Sequence, residues 1–336
     1  MKEAMFYERL SEGRVRCYLC HHKCTIADGK RGICTVRENI GGTLYSLVYG
    51  KAISANIDPI EKKPLFHFLP GTDIYSFATV GCNFRCMHCQ NYSISQMPRD
   101  ERRIDGRALS PEEIVLEAKK FNCKSIAYTY TEPTIFYEYA YDTAKLAHKE
   151  GIKNVFVTNG YTGEDALREI KPYLDAANID VKGFTEKFYK EICGARLEPV
   201  LNNVRLYKEL GIWVEVTTLI IPTLNDSEEH IRGIAEFLVS VDENIPWHVT
   251  QFHPEYKLMS LPITPLKSLR KARKIGLEVG LKYVYEGNVP GYGNENTYCP
   301  NCSEILIKRW GFTIEENKIE KGRCPKCKTL IEGVWK

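Results

Sequence analysis

Three cysteines, Cys82, Cys86 and Cys89, share the stretch Gly81-Cys82-Asn83-Phe84-Arg85-Cys86-Met87-His88-Cys89. The spacing is Cys-x3-Cys-x2-Cys. Thiolates this close in sequence can grip three corners of a cubic [4Fe–4S] cluster, which four would close. Three leave one iron for an outside ligand, as three protein ligands leave a catalytic zinc open. The plainer alternatives are three structural cysteines or a zinc knuckle completed by His88. The cluster is preferred because a strand ends just before Gly81 and a βα pattern follows. Gly81 permits close backbone approach, and Phe84 is placed to shield the cluster.

Two further groups have ligand spacing. Cys299-x2-Cys302-x21-Cys324-x2-Cys327 is a pair of Cys-Pro-x-Cys knuckles stiffened by Pro300 and Pro325. This is zinc-ribbon spacing, slightly beyond the usual gap of about 15–20 residues. So short a tail buries little surface, so a tetrahedral zinc would stabilise it directly; a second iron–sulfur cluster is the alternative. With all four positions filled, a structural or docking role is expected. Cys17-x2-Cys20-x3-Cys24-x9-Cys34 is less diagnostic, and His21 and His22 add ligands. Zinc is expected there too, with an auxiliary [4Fe–4S] cluster as the alternative. Cys123 and Cys193 read as small buried hydrophobes.

These groups need a frame. The chain has 336 residues, 43% hydrophobic and 26% charged, with 13 cysteines. That composition excludes a mainly disordered, collagenous or coiled-coil chain. A net charge of +3 gives no drive toward nucleic acid or an anionic membrane. No apolar run reaches the length of a spanning helix, and the first ten residues do not read as a signal peptide. Clustered thiols without export point to a cytoplasmic metalloprotein. From residue 74 to 286 strand and helix alternate. Strands are expected at 74–80, 125–130, 154–158, 176–181, 213–221, 247–252 and 283–285. Ser110-Pro111-Glu112-Glu113 reads as a capping box opening a helix; further helices are expected at 135–149, 226–241 and 264–280. The fold class is α/β, a partial or near-complete βα barrel of six or seven units, whose chemistry gathers at the C-terminal ends of the strands. The organisation expected is a cysteine-bearing segment over 1–70, the barrel over 71–290 and a zinc-ribbon-like module over 291–336. Gly287-x3-Gly291-x-Gly293 lacks the Lys of a P-loop and reads as a connector.

With its aromatic replaced by His88, the Cys82–Cys89 loop resembles the signature of the radical S-adenosylmethionine (SAM) superfamily. Tyr130-Thr131-Glu132-Pro133 follows the second strand, where that superfamily often has Gly-Gly-Glu to receive the SAM amino group; only the Glu is kept. Thr158-Asn159-Gly160 ends the third strand. Asp180-Val181-Lys182 ends the fourth, similar to the Asp-x-Lys of pyruvate formate-lyase activating enzymes. His253 ends a late strand, where those activases carry a histidine near the SAM ribose. The runs Asp58–Phe68, Cys89–Gln96 and Tyr128–Glu138 look like the radical SAM member of the AmmeMemoRadiSam system, and that likeness covers nearly the whole chain.

The resemblance implies reductive cleavage of SAM to methionine and a 5′-deoxyadenosyl radical, which takes a hydrogen atom from an unidentified substrate. It implies that Cys82, Cys86 and Cys89 hold the cluster, that Glu132 meets the SAM ammonium and that Lys182, set by Asp180, meets its carboxylate. It further implies cofactor-binding places for Thr158, Asn159, His253 and Asn288. A low-potential ferredoxin or flavodoxin is the implied donor, with Amme and Memo proteins as companions. Arg99, Arg102, Arg103 and Arg107 form a basic run that such an acidic donor could meet, though a solvated charged loop is the simpler reading. The alternatives are activation of a glycyl-radical partner enzyme or, in another class, a zinc-ribbon binding module or electron-transfer protein without SAM chemistry.

Overall fold

A computed structural model describes residues 1–292 and 294–336, so Gly293 of the expected connector lies outside the described residues. The centre is an eight-stranded sheet. Its strands are β1 (Ser54–Pro59), β2 (Asp73–Ala78), β3 (Ser125–Tyr128), β4 (Lys153–Thr158), β5 (Ala176–Asp180), β6 (Trp213–Ile220), β7 (Trp247–Gln251) and β8 (Val284–Gly287). The order runs β8-β7-β6-β5-β4-β3-β2-β1. β2 to β8 are parallel neighbours, and β1 joins β2 antiparallel at one edge. The architecture is therefore the expected α/β partial barrel. The sheet begins at Ser54, ahead of residue 74 where the alternating sequence pattern starts.

Local chemistry sets these elements. β3 is buried at every position, as parallel strands covered on both faces must be. The outer helices are α1 (Pro111–Lys120), α2 (Tyr137–Lys149), α3 (Glu164–Ile170), α4 (Leu197–Glu209), α5 (Glu228–Val241) and α6 (Leu266–Val279). α1 opens on the expected capping box: Glu113 N donates to Ser110 Oγ at 3.2 Å, and Ser110 N to Glu113 Oε2 at 2.6 Å. Such a cap contributes about 1 kcal/mol. Ile114, Val115 and Ala118 of α1 are buried, the stripe that the 3.6-residue period requires.

The barrel floor is built by a segment distant in sequence. Glu215 of β6 is buried and accepts from Phe66 N at 2.9 Å, His67 N at 2.8 Å and Trp213 Nε1 at 3.1 Å. His248 Nε2 lies 2.7 Å from the same carboxylate. Asn178 Nδ2 donates to Pro64 O at 2.8 Å. Buried polar groups inside a barrel need such partners, and here they bind the 64–67 segment as a plug. The C-terminal tail seals it from below. Val334 N donates to His67 O and Leu69 N to Val334 O, both at 2.7 Å. His67 Nδ1 lies 2.7 Å from Glu332 O and its Nε2 2.6 Å from Tyr285 Oη. Phe66, Tyr283 and Tyr285 share one apolar cluster with Cys299, Leu306, Cys324 and Ile331. No helix among the described residues is long and apolar enough to cross a membrane.

Candidate active site

The strand ends converge on one cavity of about 510 Å³. Cys82, Cys86 and Cys89 line it, and so do Glu132, Thr158, Asn159, Asp180, Lys182 and Asn288. These residues stand at or beyond the C-terminal ends of β2, β3, β4, β5 and β8, where parallel βα folds carry their chemistry.

The cysteine loop is held from several sides. Gly81 has φ +105°, and a Cβ there would stand 2.7 Å from Val36 Cγ1, so the position needs glycine on both counts. Gly81 N donates to Ile94 O at 3.1 Å, Arg85 N to Cys193 O at 2.8 Å and Met87 N to Ile192 O at 2.9 Å. Donors also reach the sulfurs: Phe84 N is 3.3 Å from Cys82 Sγ, and Ser95 Oγ is 3.1 Å from Cys89 Sγ. Burial pushes the Cys82 and Cys89 thiols up, so holding them as thiolates calls for a cation among them. Phe84 is buried against Tyr161 and Tyr189. The buried Nδ1 of His88 and Nδ2 of Asn83 have no partner, which suits a polar group bound beside them.

Glu132 is the best-anchored acid here. Its Oε1 accepts from Thr134 N at 3.0 Å, Thr134 Oγ1 at 2.6 Å and Thr158 Oγ1 at 2.8 Å; its Oε2 accepts from Asn159 N at 2.8 Å. Burial nevertheless raises its carboxyl above the ordinary range. Asn159 Nδ2 continues to Asn83 Oδ1 at 2.8 Å, inside the cysteine loop. Lys182 Nζ donates to Asp180 Oδ2 at 2.7 Å. Burial opposes the Lys182 ammonium, but Asp180 and Cys86 outweigh it and keep it charged. Asn288 is exposed, with φ 62°, and donates to Gln251 O at 3.1 Å.

Two expected positions sit differently. His253 follows β7 but is exposed and does not line the cavity. Phe252 N donates to Thr264 Oγ1 at 2.9 Å and Thr264 N to Phe252 O at 3.1 Å; this pairing carries the chain outward at residue 253. Arg99 of the basic run turns inward, donating to Ile33 O at 3.0 Å, while Arg103 is paired with Glu101 and Asp105.

The structure adds residues that sequence reasoning did not single out. Lys62, Lys63 and Tyr130 line the same cavity. Asp58 accepts from Lys62 Nζ at 2.8 Å, Lys63 Nζ at 2.6 Å and Tyr130 Oη at 2.5 Å. Burial holds Lys63 down to about 8 although Asp58 supports its charge. Cys193, expected in the core, is buried with its thiol against that of Cys86. The run Asp58–Phe68 and the Tyr130 departure were the only signals for the first group; nothing local pointed to Cys193.

The outlying cysteines form two different arrangements. The four sulfurs of Cys299, Cys302, Cys324 and Cys327 all lie within 4.8 Å of one another, and among the described residues no other set of three or more such donor atoms does. Cys17, Cys20, Cys24 and Cys34 instead line a separate small cavity.

Comparison with known proteins agrees with this geometry. The family model described as Radical SAM superfamily matches residues 77–238. An uncharacterized protein of Methanocaldococcus jannaschii is 51% identical over 337 residues, 99% of this chain and 100% of that one. A pyruvate formate-lyase-activating enzyme of Clostridium pasteurianum is 25% identical over 218 residues, 61% of this chain and 89% of its own. Streptococcus suis SuiB bound to S-adenosylmethionine shares the fold, with a TM-score of 0.51 at 16% identity over 68% of this chain and 53% of SuiB. The chain belongs to the radical SAM superfamily and is an enzyme.

Proposed function

We propose that this enzyme cleaves SAM reductively and uses the resulting radical to take a hydrogen atom from a substrate held in the cavity. One observation carries the reading: the cysteine trio, Glu132 and the Asp180–Lys182 pair line the same 510 Å³ space. Cys82, Cys86 and Cys89 would hold the [4Fe–4S] cluster, which supplies the electron for SAM cleavage to methionine and 5′-deoxyadenosyl radical. Glu132 offers a carboxylate to the SAM ammonium, and its four hydrogen bonds fix its direction. Lys182 offers an ammonium to the SAM carboxylate by a charge-assisted bond. Thr158 and Asn159 orient Glu132, and Asn288 contributes to the adenosine side. Lys62, Lys63 and Tyr130 are left to meet the substrate.

A low-potential ferredoxin or flavodoxin would deliver the electron, and thirteen free thiols suit the reducing cytoplasm. The C-terminal quartet reads as zinc. Its Sγ pairs stand 3.5 Å (Cys299–Cys327) and 3.7 Å (Cys302–Cys324) apart. Tetrahedral Zn–S bonds of about 2.3 Å require sulfurs about 3.8 Å apart. A second reading, a glycyl-radical activase acting on a partner protein, is favoured by the Asp180–Lys182 pair and the activating-enzyme relative. Amme and Memo proteins are the companions suggested by the likeness of Asp58–Phe68.

Anaerobically reconstituted protein, reduced with dithionite in the presence of SAM, should release 5′-deoxyadenosine and methionine. Brown protein that consumes no SAM would favour electron transfer instead. Colourless protein holding zinc alone would favour a binding module. An activase would in addition leave a glycyl-radical doublet on its partner.

A further inference from the structure

The N-terminal cysteines offer a second, separate centre. Cys17 ends the strand Val15–Cys17, Cys24 precedes the strand Thr25–Ile26, and Cys17 N donates to Cys24 O at 2.9 Å. Cys20 sits in the turn between them, and Cys34 arrives from the loop before Arg37–Ile40. All four line one cavity of about 20 Å³ whose walls are otherwise mainly apolar: Leu19, Ile26, Ile33 and Ile135. That space is far too small for an organic substrate. An inorganic group bonded to the wall sulfurs needs no van der Waals clearance from them, so the limit does not apply to it.

The sulfur spacing discriminates between metals. The four sulfurs do not close to the 4.8 Å separation that the C-terminal quartet reaches, so they do not form the compact tetrahedron of a single zinc. They share this wider spacing with Cys82, Cys86 and Cys89. A donor also reaches one of the sulfurs. Arg37 Nη1, on a fully buried guanidinium, lies 3.8 Å from Cys17 Sγ. Donors aimed at thiolate sulfurs are one means by which proteins stabilise and tune iron–sulfur clusters.

We propose that Cys17, Cys20, Cys24 and Cys34 hold a second [4Fe–4S] cluster, ligated at every iron. Four protein thiolates leave no iron for SAM, so the centre is suited to electron transfer. Its surroundings touch the catalytic loop directly. His22 Nε2 lies 2.8 Å from Asn83 O, and Arg99 spans Ile33 O at 3.0 Å and Phe84 O at 3.5 Å. One electron from a ferredoxin or flavodoxin would reduce this cluster and pass on to the one held by Cys82, Cys86 and Cys89. Only this relay role rests on the proposed SAM chemistry; the metal assignment does not.

The test is a metal count on the anaerobically reconstituted full chain. The expected result is about eight iron and one zinc per chain; about four iron with two zinc, or four iron with one zinc, overturns the proposal. The triple variant Cys82→Ala/Cys86→Ala/Cys89→Ala should keep about four iron and a reduced-cluster paramagnetic resonance signal that SAM does not shift. A triple variant that folds by circular dichroism yet binds no iron contradicts the assignment. Absence of 5′-deoxyadenosine from wild type holding eight iron would count against the SAM reading alone.

Discussion

The barrel's cysteine trio and the C-terminal quartet use the same side chain in opposite arrangements. In the tail, four sulfurs converge within 4.8 Å and close a coordination shell upon themselves. At the mouth of the barrel, three cysteines stand apart around a 510 Å³ cavity, with buried polar atoms of His88 and Asn83 unpaired beside them. The tail shares its apolar cluster with the barrel floor, whereas the trio sits at the opposite, C-terminal end of the strands. The lesson is that the number and spacing of cysteines, not their identity, separate a closed donor set from an open one.

The sharpest way to break this comparison is to delete one ligand on each side. Cys86→Ala should bring SAM cleavage down to background while the circular dichroism spectrum and the zinc content stay unchanged. A variant that still releases 5′-deoxyadenosine at the normal rate would show that the trio is not the reactive centre. Cys324→Ser should behave in the reverse way. It should lose about one zinc per chain and, with it, a metal-binding free energy on the order of 10 kcal/mol that folds the tail. Hydrogen exchange would report this as lost protection over 297–331, with β2 to β7 still protected. Unchanged zinc content would remove the metal from the tail.

A smaller effect is expected at Glu132. Glu132→Ala strands four donors, on Thr134, Thr158 and Asn159, and should cost about 2–3 kcal/mol of stability in urea unfolding. Glu132→Gln keeps an acceptor and should cost less, yet weaken SAM binding about tenfold or more by removing the charge. Equal SAM affinity in wild type and Glu132→Gln would place the SAM ammonium elsewhere.

The last effect, confined to acid pH, concerns the floor. Burial pushes His67 down to about 4, against the support of Glu215. Its folded value thus lies below the unfolded value of about 6.5. Between the two, the unfolded chain binds the extra proton, so stability falls as pH drops from 6.5 toward 4, by up to about 3 kcal/mol. The slope should be shallower in His67→Gln but not absent, because burial also lowers His21, His22, His88 and His230. An identical slope in the variant would assign the acid sensitivity to another group.

Legibility in the sequence followed the range of the interactions. The capping box at Ser110, the strands and the Cys82 loop were readable because their determinants lie within a few residues. The tail knuckles were readable for the same reason. The floor was not, because Glu215 meets Phe66 and His67 across a long stretch of chain. Nor was β1, whose alignment with β2 is set by pairing rather than by its own pattern. Cys193 read as core and is core, but only the fold brings it to Cys86. His253 shows the converse: its place after a strand was legible, while the pairing of Phe252 with Thr264 that turns it to solvent was not.

The central claim is that the cavity's cysteine trio leaves one iron to an outside ligand. Electron–nuclear double resonance on the anaerobically reduced protein, with SAM carrying ¹⁵N in its amino group, tests it most directly. A strong nitrogen coupling to the cluster, lost in Cys86→Ala, is the result expected. A fully reduced cluster that shows no coupling at saturating SAM would contradict the account.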